Sequence, residues 1–154
     1  RRARADLPTA AGGFAPRRDA TAYEALRDRA RELGQPAVVV HTLGTRRDFG
    51  ARQAFVTNLL AAGGISAVQE GAKVAILASS RAGYAEHGAS AIEALRAAGV
   101  DTVLVAGRAS ELGDSAGAVD GEVHDGIDVV AFLSDVLDRL TPPRDAGTTT
   151  EGSR

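Results

Sequence analysis

Two hydrophobic periods alternate along this chain, and the alternation leaves few folds open. Apolar runs of strand length stand at Ala37–Thr42 (AVVVHT), Lys73–Ala78 (KVAILA) and Asp101–Ala106 (DTVLVA). Shorter candidates are Ile65–Val68 and Glu122–His124. Between them, apolar residues recur every three or four positions, the signature of helices with one buried face. Thr21–Leu33 spaces Tyr23, Leu26, Ala30 and Leu33 in this way before Gly34. Asp48–Ala62 does so with Phe55, Leu59 and Ala62 before Gly63-Gly64, Tyr84–Ala98 runs to Gly99, and Ile127–Leu140 closes the series. Glycine after a periodic stretch marks a helix stop.

Strands that alternate with helices pair in parallel through right-handed crossovers. The central runs are apolar on both faces, as required when helices cover both sides of a sheet. Five strands in a chain of this length predict an α/β, flavodoxin-like, doubly wound parallel sheet with strand order 2-1-3-4-5. In such a sheet, ligands lie outside the carboxyl ends of the strands, so the loops after the first, third, fourth and fifth strands are the ones that carry chemistry.

The predicted domain covers residues 21–140. Residues 1–20 (RRARADLPTAAGGFAPRRDA) lack hydrophobic periodicity and read as a linker or arm. Residues 141–154 are rich in Pro, Thr and Gly and read as a disordered tail. The chain has no methionine, even at position 1, and is expected to be a fragment or processed product.

Composition removes several functional classes. With no cysteine, disulfides, zinc–thiolate sites, Fe–S clusters and a cysteine nucleophile are excluded. A net charge of −2 and an aromatic content of 4% give no basis for nucleic-acid binding. The chain lacks an apolar run of the ~20 residues that a membrane helix needs. His41, His87 and His124 fall on separate elements, with two strands between the first and last, so no metal site is expected. His41 reads as a core-edge histidine bonded to backbone, and His87 as an exposed helix residue.

The loop Leu43–Gly50 (LGTRRDFG) runs from a strand into a helix N-terminus, where amides and the helix dipole favour anions. Neither a Walker spacing nor G-x-G-x-x-G occurs there. Two readings stay open. Asp48 caps the helix and Arg46 and Arg47 are solvated or paired, or the Gly44–Gly50 loop holds a small anion or nucleotide. A phosphorylation receiver is excluded, because His41, Thr42 and Ala78 stand where it needs carboxylates. Ser79 and Ser80 lack the G-x-S-x-G frame of a nucleophile and are expected to turn the chain or cap a helix.

Residues 17–140 resemble a known family through three stretches, RRDATAYEALRDRA, TLGTRRDFGARQAFVTNLLAAGGISAV and GAKVAILASSRAGYAEHGASAIEALRAAGVDTVLVAGR. The resemblance is to the C-terminal, cobalamin-binding-type domain of methylmalonyl-CoA mutase small (beta) subunits. Cobalamin-binding members carry Asp-x-His-x-x-Gly after the first strand, where the His displaces the dimethylbenzimidazole base and ligates cobalt. Here those positions are Thr45, Arg47 and Gly50. The family's Ser-x-Leu falls on Ala78, Ser79 and Ser80, and its Gly-Gly on Ala106 and Gly107. A guanidinium stays protonated and is no cobalt ligand.

The resemblance therefore implies a degenerate site at Thr45, Arg47, Gly50, Ala78, Ser79, Ser80, Ala106 and Gly107, with no catalytic residue and no metal on this chain. It further implies a heterodimer in the cytoplasm with a catalytic large subunit that holds adenosylcobalamin. The holoenzyme would interconvert methylmalonyl-CoA and succinyl-CoA.

Overall fold

The computed structural model describes residues 16–142, with side chains from residue 20 onward. Most of the stretches read as arm and tail lie outside the described residues. The elements are α1 (Pro16–Glu32), β1 (Ala37–Thr42), α2 (Arg46–Ala62), β2 (Ser66–Val68), β3 (Val74–Ala78) and α3 (Arg81–Ala97). They continue with β4 (Thr102–Ala106), a 3₁₀ helix (Ala109–Ala118), β5 (Gly121–Val123) and α4 (Val129–Leu140). All strand pairs are parallel and the order is β2-β1-β3-β4-β5, as the alternation predicts.

Strand periodicity sorts the core into two layers. Val38, Val40, Val74, Ile76, Ala78, Leu104 and Ala106 face α1, α2 and α4, where they meet Leu26, Leu60, Leu133 and Leu137. The alternate residues Val39, Ala75, Leu77, Val103 and Val105 face α3, where they meet Tyr84, Ile92 and Leu95. Side chains of successive strand residues point to opposite faces, so a run such as VAILA is buried on both. Full burial of one such Val or Leu contributes about 1.5–3 kcal/mol, and a one-residue slip of register would exchange the two layers.

Several boundaries differ from the sequence reading, among them α4, which starts at Val129 rather than Ile127, and β5, which is Gly121–Val123 rather than Glu122–His124. α1 starts at Pro16, inside the stretch read as a linker. Proline suits the first helical turn because it has no N–H to leave unpaired there. α2 starts at Arg46 with Thr45 as N-cap, so Asp48 is not the cap but the third helical residue. α3 starts at Arg81 with Ser80 as N-cap. The β4–β5 crossover is a 3₁₀ helix interrupted at Gly113, where φ is 60°; its apolar residues lack a helical period long enough to be read from sequence.

The β2–β3 connection takes only residues 69–73 and has no helix. It can be this short because β2 is three residues long and pairs with the first half of β1, at Ala37–Val39. Among the described residues, no helix is long and apolar enough to cross a membrane.

Candidate functional site

The carboxyl ends of β1, β3 and β4 bring together most of the residues singled out above. The order 2-1-3-4-5 reverses between β1 and β3, and a doubly wound sheet opens its binding crevice at that switch point.

Here side-chain hydrogen bonds bridge the switch point. Asp48 Oδ2 accepts hydrogen bonds from the Thr45 backbone N–H at 2.8 Å and from Thr45 Oγ1 at 2.9 Å. Its Oδ1 accepts one from Ser80 Oγ at 2.8 Å, so a single carboxylate joins the loop after β1 to the loop after β3. Ser80 Oγ in turn accepts from the Gly83 N–H at the start of α3. The bond from the Thr45 backbone N–H holds the Asp48 carboxyl below the ordinary range, and the Ser80 and Thr45 hydroxyls add to this. The anion at the N-terminus of α2 is thus the chain's own. Gly44, at φ 82°, packs against it: a Cβ there would stand 2.7 Å from Asp48 Oδ2.

A second layer lies beneath. Ser79 is fully buried and donates from Oγ to the Leu43 carbonyl at 2.8 Å. Tyr84 is 1% exposed, and its hydroxyl sits between the ends of β3 and β4. The hydroxyl accepts the Ser79 N–H at 3.1 Å and donates to the Ala106 carbonyl at 2.5 Å, with the Leu77 carbonyl 3.1 Å away. Burial pushes the Tyr84 hydroxyl up from its ordinary pKa. A Cβ on Gly83 would fall 1.9 Å from Ser79 Oγ, so only glycine fits where α3 crosses this loop.

The third feature is an ion pair between α2 and the 3₁₀ helix. Arg52 Nη1 donates to Glu111 Oε1 at 2.8 Å and to the Ser79 carbonyl at 2.9 Å, and Nη2 reaches Glu111 Oε2 at 3.3 Å. The guanidinium carbon lies 5.7 Å from the centre of the Tyr84 ring, within cation–π range. The Glu111 side chain is 6% exposed and also accepts the Arg108 N–H. Burial alone would raise the Glu111 carboxyl; Arg52 and the Arg108 N–H outweigh it and hold the group below its ordinary range.

The residues read from sequence divide accordingly. Thr45, Ser79, Ser80, Ala106 and Gly107 converge on this crevice, and Ala78 is buried at the tip of β3. Arg47 is exposed on the rim and, among the described residues, neither its side chain nor that of Arg46 makes a hydrogen bond or ion pair. Gly50 is half-buried within α2, where an added Cβ would meet only Arg46 Cγ, at 3.8 Å.

β3 and β4 separate His41 on β1 from His124 after β5, whereas His41 and His87 line one surface cleft beside α3. His41 is half-buried, with burial pushing its ring pKa down. Contrary to expectation, its ring makes no hydrogen bond to backbone among the described residues; it lines a cleft with His87, Ser90 and Ala94 of α3. His87 lies on α3 with 45% of its side chain exposed, beside α3's own Glu86, 3.8 Å away. Among the described residues, no three His, Cys, Asp or Glu side chains gather as a metal site would need.

Arg52, Tyr84 and Glu111 were missed by sequence reasoning. One signal was available for Arg52, which lies three and four positions before Phe55 and Val56 and so interrupts an apolar stripe. A cleft of about 320 Å³ survives beside the pair, walled by Arg52, Phe55, Gly107 and His124.

Fold and crevice together define a flavodoxin-like α/β domain whose β1–β3 switch point is bridged by side-chain hydrogen bonds. No protein-family model matches the chain. It is 36% identical over 148 aligned positions to the methylmalonyl-CoA mutase small subunit of Propionibacterium freudenreichii subsp. shermanii, a match that takes in 83% of this chain and 23% of that one. It is 35% identical over 159 aligned positions to the methylmalonyl-CoA mutase small subunit of Streptomyces virginiae, covering 89% of this chain and 25% of the relative. The chain is homologous, over that stretch, to methylmalonyl-CoA mutase small subunits, and it spans about a quarter of the length of the curated relatives it matches.

Proposed function

We propose that this chain is the C-terminal, cobalamin-type domain of a mutase small subunit, that it binds no cobalamin, and that it works through protein contacts with a catalytic large subunit in the cytoplasm. The large subunit carries the adenosylcobalamin, and the pair interconverts methylmalonyl-CoA and succinyl-CoA. The functional unit runs from α1 to α4, residues 16–140. Cobalt–carbon chemistry belongs to the cofactor and is not routed through any residue of this chain.

The observation that carries this reading is the crevice itself, whose residues do not fit the cofactor. Thr45 supplies no carboxylate, and its hydroxyl and amide are both committed to Asp48. Arg47 supplies a permanent cation where a cobalt ligand must be a neutral imidazole. Ser80 is bonded to Asp48, and Arg52 and Glu111 occupy the space in front of Gly107.

The small-anion reading of the Gly44–Gly50 loop has less support, since the Asp48 carboxylate holds the Thr45 amide that an anion would need. Co-expression with a cobalamin-bearing mutase large subunit tests the proposed role. The chain is expected to co-purify with that subunit at a fixed ratio. Failure to co-purify, or isomerase activity of the chain by itself, would contradict it.

A further inference from the structure

The crevice is closed in two ways that differ in physical strength. One is chemical and lies on the rim, at Thr45 and Arg47. Arg47 is exposed and its side chain is free of described bonds, so it can swing into water at little cost when something approaches.

The other is steric and lies inside. Ligands of a doubly wound sheet sit outside the carboxyl ends of the strands, and Gly107 is where the main chain at the end of β4 has no side chain of its own to block them. Two side chains nonetheless stand against it, and the remaining cleft of about 320 Å³ lies to one side of them. A Cβ built on Gly107 would stand 2.8 Å from Arg52 Nη1, 3.0 Å from Arg52 Cζ and 2.9 Å from Glu111 Oε2. Unlike Arg47, this guanidinium is held by Ser79, by both Glu111 oxygens and by the Tyr84 ring. Displacing it would strand the Glu111 carboxylate, which is buried, without its cation, a strongly unfavourable change.

We propose that the Arg52–Glu111 pair is a second determinant, beyond Thr45 and Arg47, that excludes cobalamin from this chain, and that repairing the rim alone does not open the site. The inference rests on the reading above that the crevice is closed, and it names what closes it. Arg52 acts here as an internal occupant of the site, held in position by Glu111.

The test is a titration of the full chain with methylcobalamin, read as the absorbance change when the dimethylbenzimidazole base is displaced by a protein imidazole. Three proteins are compared: the unaltered chain, Thr45→Asp/Arg47→His, and that pair combined with Arg52→Ala/Glu111→Gln. The Glu111→Gln change keeps an acceptor for the Arg108 N–H and leaves no buried charge. The pair of rim changes alone is expected to give no displacement. The fourfold variant is expected to bind at least about tenfold more tightly, the scale of relieving an overpacked contact.

Equal affinity of the two variants would overturn the proposal, as would a fourfold variant that keeps its native circular dichroism yet does not bind. Should the fourfold variant fail to fold, Arg52→Gln/Glu111→Gln on the same background is read by the same criteria, because paired amides retain partners there. Displacement by the unaltered chain is a different result, since it would remove the closed-site reading itself.

Discussion

Ser80 Oγ lies 2.8 Å from Asp48 Oδ1, and this one hydrogen bond spans the point at which the sheet reverses its winding. The same carboxylate receives the Thr45 amide and hydroxyl. A position that other doubly wound proteins keep for a ligand is here used for internal structure.

Replacing Asp48 with Asn should therefore destabilise the fold and loosen both loops together. Because hydrogen bonds depress the carboxyl below its unfolded value, its contribution is present above the ordinary carboxylate range and is lost as pH falls through the depressed value. Urea midpoints measured from pH 7 downward should fall more steeply for the unaltered chain than for Asp48→Asn. Parallel curves would show that the carboxylate is not engaged.

Tyr84→Phe keeps the ring and removes the hydroxyl that accepts the buried Ser79 N–H. An orphaned buried donor costs about 1–3 kcal/mol, which chemical denaturation resolves. The raised Tyr84 pKa favours the protonated form in the fold, so this stabilisation is complete below the ordinary tyrosine range and disappears as pH rises through the shifted value. In an alkaline absorbance titration, one of the chain's two tyrosines should ionise late and coincide with unfolding.

Gly83→Ala places a methyl group on Ser79 Oγ and should cost about 1–3 kcal/mol or more through overpacking. Removing that oxygen with Ser79→Ala should relieve part of the clash, so the double variant should be more stable than the sum of the two single effects allows. Strict additivity in a double-mutant cycle would mean that the two residues do not meet.

Arg52→Ala should destabilise more than Glu111→Gln. The first leaves a buried carboxylate without its cation; the second leaves a neutral acceptor for the Arg108 N–H. The expected loss for Arg52→Ala is about 2–3 kcal/mol, under the ~3–5 kcal/mol of a fully buried pair, because about a third of the Arg52 side chain stays in water. Equal losses in thermal or urea unfolding would argue that the pair is a surface contact.

Much of the fold was legible because its signals are local. VAILA and TVLVA are buried on both faces and read as strands from composition alone, and Gly34, Gly63 and Gly99 follow the helices they were expected to stop. The start of α2 was harder, since Thr45 and Asp48 are both good capping residues three apart. Only the backbone shows that Thr45 is the cap and that Asp48 reaches back to it. The crevice was the least legible part. Its motif positions could be aligned one by one, but Arg52 and Glu111 are 59 residues apart and meet only once β1, β3 and β4 are side by side.

The most direct test of this account is a spectral titration of the unaltered chain with cobalamin at neutral pH. If the proposed closure by Arg52, Glu111 and the Asp48–Ser80 bridge holds, the polypeptide should leave the cofactor's spectrum unchanged at every protein concentration. Saturable binding with the dimethylbenzimidazole base released would contradict it.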